Sequence, residues 1–129
     1  MPILNRLDTI RKGYDPASDY CWVGPVATGL DKTGNKILLL MRKGEIHKPG
    51  RWDIFSHPYQ ILSIDHGNRW SDPLPARGLE TVSSGDFEYV FGGNPKLHLR
   101  TERCLLIGNR TCYHKNALTY AARGLEYSI

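Results

Sequence analysis

The sequence predicts an α+β fold: a single domain over residues 1–129, with about six mainly antiparallel strands in a curved sheet and packed helices at the N- and C-terminal ends. Three observations carry this reading. Tyr20 to Glu45 holds two strand-like runs, Tyr20 to Leu30 and Lys36 to Arg42, around Asp31-Lys32-Thr33-Gly34-Asn35, whose Gly and Asn tolerate the positive φ of a short hairpin connection. Phe87, Tyr89 and Phe91 alternate with Glu88 and Val90, the pattern of a half-buried strand. At the two ends, Ile3, Leu4, Leu7 and Ile10, and then Ala117, Leu118, Ala121 and Leu125, recur at helical spacing.

Taken in order, Pro2 suits a first helical turn and Gly13 a left-handed stop, so a short amphipathic helix is expected over Met1 to Gly13, followed by a turn around Asp15-Pro16. In the first hairpin strand, Gly24-Pro25 breaks the ladder pattern and predicts an edge or a bulge. The partner run Ile37-Leu38-Leu39-Leu40-Met41 is apolar at every position, which places it centrally in a sheet with both faces covered. Gly44 to Gly50 reads as a loop, Arg51 to Ser56 as a short strand, Tyr59 to Ile64 as another, and Asp65 to Glu80, rich in Gly and Pro, as a long loop. The Phe87 to Phe91 strand is closed by Gly92-Gly93-Asn94-Pro95. Two further strands follow, around Leu97 and Leu99 and over Cys104 to Ile107, and Asn116 caps the final helix, which runs to Leu125.

A chain of 129 residues, 40% hydrophobic and 23% charged, is long enough for one proper core and too short for two. Its longest strongly apolar run is five residues, against roughly 20 for a membrane span, so a soluble protein made without a secretory signal, and no membrane partner, is expected. Cys21, Cys104 and Cys112 are odd in number and lack metal-ligand spacing, which fits reduced thiols in a cytoplasmic setting. A net charge of +4 favours nucleic acid or another polyanion among partners.

Lys36 to Asp53 covers about one seventh of the chain and resembles the opening strands of Nudix hydrolases. That resemblance implies diphosphate hydrolysis on magnesium. The glycine-rich loop and helix with paired glutamates that should follow are replaced by His57-Pro58-Tyr59-Gln60, so the activity is not carried over. The order Arg42, Ser83-Ser84, Glu126 resembles the arginine, serine and glutamate of some ADP-ribosyltransferases, which implies an arginine gripping a dinucleotide and a glutamate stabilising charge at the ribose. The Ser-Thr-Ser and Glu-x-Glu of that family are absent.

The leading functional expectation is a small basic protein that engages RNA or another polyanion. Arg100 and Arg103, with Arg110 and Lys115, supply cations, and Trp52 and Trp70 offer stacking surfaces. Its catalytic form is an acid–base ribonuclease. On an extended strand His98, Arg100 and Glu102 share one face, so His98 or His114 takes the acid–base role and Glu102 assists. The alternative is a non-catalytic inhibitor or accessory module that contacts a protein through the Trp70 to Glu80 loop. Spaced His47, His57 and His66 lack a paired ligand motif, and no motif calls for a metal or cofactor.

Overall fold

The computed structural model describes residues 20–45, 56–114 and 117–128, with Glu45 and residues 117–128 described by backbone alone. The expected helix over Met1 to Gly13, the turn at Asp15-Pro16 and nearly all of the expected Arg51 to Ser56 strand lie outside these residues. The described chain is all β, which corrects the α+β expectation: no helix occurs among the described residues. Strands β1 (Tyr20–Gly29), β2 (Ile37–Glu45), β3 (Tyr59–Ser63) and β4 (Leu74–Pro75) form one antiparallel sheet in that order. Strands β5 (Val82–Ser84), β6 (Phe87–His98), β7 (Arg103–His114) and β8 (Ala117–Ser128) form a second.

The β1–β2 turn is held by one carboxylate. Asp31 accepts from Thr33 N (3.1 Å), Thr33 Oγ1 (2.8 Å), Asn35 N (3.1 Å) and Lys36 N (3.1 Å), and Gly34 takes a φ of 72° that its missing Cβ permits. Further along, Val23 pairs with Arg42 but Val26 with Leu40, so Gly24-Pro25 bulges out of the ladder as its composition predicts. β2 lies between β1 and β3 with both faces covered. On one face Leu40 joins Ala76, Leu79, Phe91 and Leu106, a cluster shared by the two sheets, with Leu38 against it. On the other, Leu39, Met41 and Ile61 pack together with Trp22 and Trp70. Beside this second cluster the Lys43 ammonium sits in an aromatic box, 4.3 Å from the Tyr20 ring centre, 4.8 Å from Tyr59 and 5.4 Å from Trp22.

The second sheet is built on an unbroken β6–β7 ladder from Phe87↔His114 to His98↔Arg103. Gly92-Gly93-Asn94-Pro95, expected to end a strand, instead runs through its middle. The glycines are there because of close approach: a Cβ on Gly93 would stand 2.6 Å from the Ile107 carbonyl oxygen and 2.7 Å from Phe91 Cζ. Pro95 is fully buried opposite Leu106. On its other flank, among the described residues, β6 is paired from Phe87 to Tyr89 by the three-residue β5.

The expected C-terminal helix is also corrected. Residues 117–128 form β8, with Leu118 opposite Tyr113 and Thr119 opposite Cys112. Alanine favours helix by only tenths of a kcal/mol per residue, so a long ladder on β7 overrides the preference.

Candidate functional site

Several exposed cations lie on or beside two neighbouring turns. After His98 the chain turns rather than continuing extended: Thr101 N and Glu102 N donate to the His98 carbonyl at 3.2 and 2.8 Å, and Glu102 adopts a φ of 52°. The His98 imidazole Nδ1 lies 2.7 Å from Thr101 Oγ1, fixing the turn from within. The Glu102 carboxylate reaches across to Lys32 Nζ at 3.1 Å and so joins this turn to the β1–β2 turn. Both partners are about half exposed, 54% and 48%, so the pair contributes at most about 1 kcal/mol and acts chiefly by bringing the two turns side by side.

Register sets the direction of the flanking side chains. His98 and Arg103 are opposite neighbours, and Lys96 lies two residues from His98, so the three share one face of the hairpin end. That face is exposed at all three, whereas Pro95 and Leu106 on the other face are buried. With exposed Arg100 in the same turn, and exposed Lys32 and Lys36 on the adjoining one, five cations lie on or beside two turns that carry the carboxylates of Glu102 and Asp31. Both carboxylates are engaged, Glu102 with Lys32 and Asp31 within its own turn. The Thr33 hydroxyl, followed by the backbone N–H groups of Lys36, Asn35 and Gly34, holds the Asp31 carboxyl below its ordinary range.

The remaining expected site residues are not brought to this end. Phe87 pairs with His114, so His114 lies eleven register steps from His98, on the order of 35 Å along the strand. The two cannot act as one acid–base pair. His114 packs its ring on Phe87 at 4.8 Å, with Nε2 4.0 Å from Asp86 Oδ2. The single face expected for His98, Arg100 and Glu102 needed an extended strand that the turn replaces. Arg110 lies midway along β7 and donates to the Glu80 carbonyl at 3.0 Å. Trp70 donates from its indole N–H to the Gly67 carbonyl at 3.0 Å and packs on the second core cluster, so it is no free stacking surface. Trp52 and Lys115 lie outside the described residues.

Two other expected groupings are also dispersed. Ser84 pairs with Phe87, five residues along β6 from Gly92, the residue against which the Arg42 guanidinium lies. Glu126 pairs through its backbone with Gly108 on β7. In the Trp70 to Glu80 loop, Ala76 and Leu79 are buried in the core and Ala76 N donates to the Pro58 carbonyl at 2.9 Å, so the loop is pinned from both sides. His57 stacks on Tyr59 at 4.9 Å, and its Nε2 is buried with no hydrogen-bond partner among the described residues.

The three cysteines form no disulfide; the Cys21 thiol donates to the Gly44 carbonyl at 3.7 Å. Among the described residues no three His, Cys, Asp or Glu side chains gather where they would hold a metal ion, and no helix is long and apolar enough to cross a membrane. Comparison of the chain with protein families, curated proteins and solved structures finds no match.

Sequence reasoning missed Lys32 and Lys36 as members of the basic end. Their place there depends on two turns meeting that lie about 70 residues apart in the chain, and no local pattern signals such a meeting.

Proposed function

We propose that the protein binds a polyanion, single-stranded RNA being the type case, through the end formed by the β1–β2 and β6–β7 turns, and that it binds without cleaving. The observation that carries this reading is the Lys32–Glu102 bridge, which joins two turns that bear exposed Lys32, Lys36 and Arg100 and lie beside exposed Lys96 and Arg103. Cations on short, well-ordered turns are suited to successive backbone phosphates, which supply affinity but carry no sequence information. Among the described residues no Phe, Tyr or Trp belongs to either turn, and the His98 ring is tied to Thr101, so the reading rests on phosphate contacts rather than base stacking. Separation of His98 from His114 leaves the catalytic version without that pair of histidines, which favours binding alone.

Binding of a fluorescein-labelled oligouridylate, followed by anisotropy across a salt series, is the direct test. With Lys32 held by Glu102, the other four cations each meeting one phosphate give a slope of log K against log salt of roughly −3. Replacing Lys96, Arg100 and Arg103 together with alanine should flatten that slope by roughly 2 and weaken binding at low salt. A salt-independent affinity, or a triple variant that binds like the parent, would refute the proposal.

A further inference from the structure

A second site lies away from the basic end, in a cleft between the sheets. Its volume is about 370 Å³, near the lower end of small-molecule pockets, which run from about 300 to 1,000 Å³. Val26, Leu40 and Pro58 give it apolar walls, the β2 backbone at Met41 borders it, and Arg42 and Asn94 are the polar side chains among the described residues that line it. Irregular backbone meets it from both sides. The Gly24-Pro25 bulge falls opposite the Met41–Arg42 step, and Gly92-Gly93 on β6 faces it from the second sheet. Bulges recur beside binding sites because they re-aim a strand locally.

Arg42 is the group that asks for a ligand. Its guanidinium lies along Gly92, with Nη2 3.1 Å from where a Cβ would stand and Nη1 3.7 Å away. Burial lowers its pKa from the ordinary arginine value, and the nearby Tyr113 phenol pulls the other way. An arginine nonetheless stays charged in a protein. Among the described residues it makes no hydrogen bond and no ion pair. A guanidinium has five N–H donors in a planar fork, and in this half-buried position they are left for a ligand to engage. A carboxylate or phosphate meets that fork with two parallel hydrogen bonds.

We propose that this cleft binds a small organic anion, with Arg42 holding a carboxylate or phosphate head and Val26, Leu40 and Pro58 covering its apolar body. The Gly92 position makes this possible, since a side chain there would press on the guanidinium.

The test is an amide-resolved NMR titration with phenyl phosphate, benzoate and, as the uncharged control, benzyl alcohol. Saturable shifts at Gly92, Gly93 and Asn94 are expected with either anion, and none with the alcohol. Arg42→Met should weaken the anion's binding at least about tenfold, the loss of one charge-assisted hydrogen bond or more. Gly92→Ala is the second variant. Its new methyl meets mainly the mobile end of Arg42, so the fold is kept while the guanidinium is displaced, and a weakening of similar size is expected. Absence of saturable shifts with both anions, equal shifts with the alcohol, or undiminished affinity in a folded variant overturns the proposal. If Arg42→Met fails to fold, Gly92→Ala decides alone. Because Lys96, Arg100 and Arg103 are elsewhere, their triple alanine variant should keep this binding while losing the oligouridylate.

Discussion

Gly108→Ala should be among the most damaging single-methyl additions this chain can receive. In the β6–β7 ladder Gly108 sits opposite Gly93, and an added Cβ would fall onto the Gly92 carbonyl oxygen while standing 2.6 Å from Gly93 Cα and 2.7 Å from Phe91 Cζ. Carbon atoms pack at about 3.5 to 4.0 Å, so two strands must separate by roughly 1 Å. Because two of the obstructing atoms are backbone, no rotamer change relieves the clash. Separation strains the ladder around Gly92↔Asn109 and Gly93↔Gly108, each lost bond costing about 1 kcal/mol, and disturbs the buried Phe91 ring. Alanine also restricts the unfolded chain, which offsets about 0.4–1 kcal/mol. The net loss expected is on the order of 3 kcal/mol, a large share of the roughly 5–15 kcal/mol a domain has.

Gly92→Ala, one position along the facing strand, is the internal control. Its Cβ meets Arg42 Nη2 at 3.1 Å and Asn109 Oδ1 at 3.4 Å, both at the ends of flexible side chains, so a change under about 1 kcal/mol is expected. Urea unfolding followed by far-ultraviolet circular dichroism reads both. With a slope near 2 kcal/mol per molar, Gly108→Ala should lower the midpoint by roughly 1.5 M and Gly92→Ala by less than about 0.5 M. Equal midpoints for the two variants would refute the packing described for this ladder.

Two further outcomes test other parts of the structure. Lys43→Ala should cost about 1–2 kcal/mol in the same urea experiment, through loss of the ammonium from its three rings, whereas Lys43→Arg keeps a cation there and should cost less; an alanine variant as stable as the parent would remove the box as a source of stability. Asp31, Asp65 and Glu80 all have carboxyl groups held below their ordinary range, chiefly by the Thr33 hydroxyl for the first, the Arg69 backbone N–H for the second, and the backbone N–H groups of Glu80 and Gly78 for the third. Unfolded, they take up protons at higher pH than when folded, so their contribution is complete above about pH 5 and is lost as pH falls through 4 and below. Melting temperature should therefore stay level from neutral to about pH 5 and then drop, with a smaller drop in Asp31→Ala; a parent protein whose melting point is unchanged at about pH 3 would contradict this.

Legibility in the sequence followed how local the cause was. The apolar run of β2 and the Gly24-Pro25 bulge are local signals, and the two core clusters and the register shift match them. The chain from Gly92 to Pro95 misleads because glycine and proline mark turns when nothing else is known. Here two glycines are demanded by a neighbouring strand and an aromatic ring. Ala117, Leu118, Ala121 and Leu125 satisfy a helical period, yet the ladder on β7 decides their conformation. The turn after His98 contains no Gly, Pro or Asn, so alternation was extrapolated through it and the expected shared face of His98, Arg100 and Glu102 came from that extrapolation. Arg42 stood out in the sequence only as a member of an ordered trio; its position in the cleft needs the second sheet to be placed against the first.

The short reach of β5 has a consequence for how copies of this chain meet. Beyond Tyr89 the outer flank of β6 has no hydrogen-bonded strand among the described residues, and an unpaired flank left open is a template on which like chains stack into fibres. Here the flank is not open: β6 runs close beside β1, Pro95 within it is fully buried, and the exposed Lys96 follows at once. An incoming copy would find β1 already beside that flank and then a like charge, which discourages edge-to-edge growth even in crowded solution.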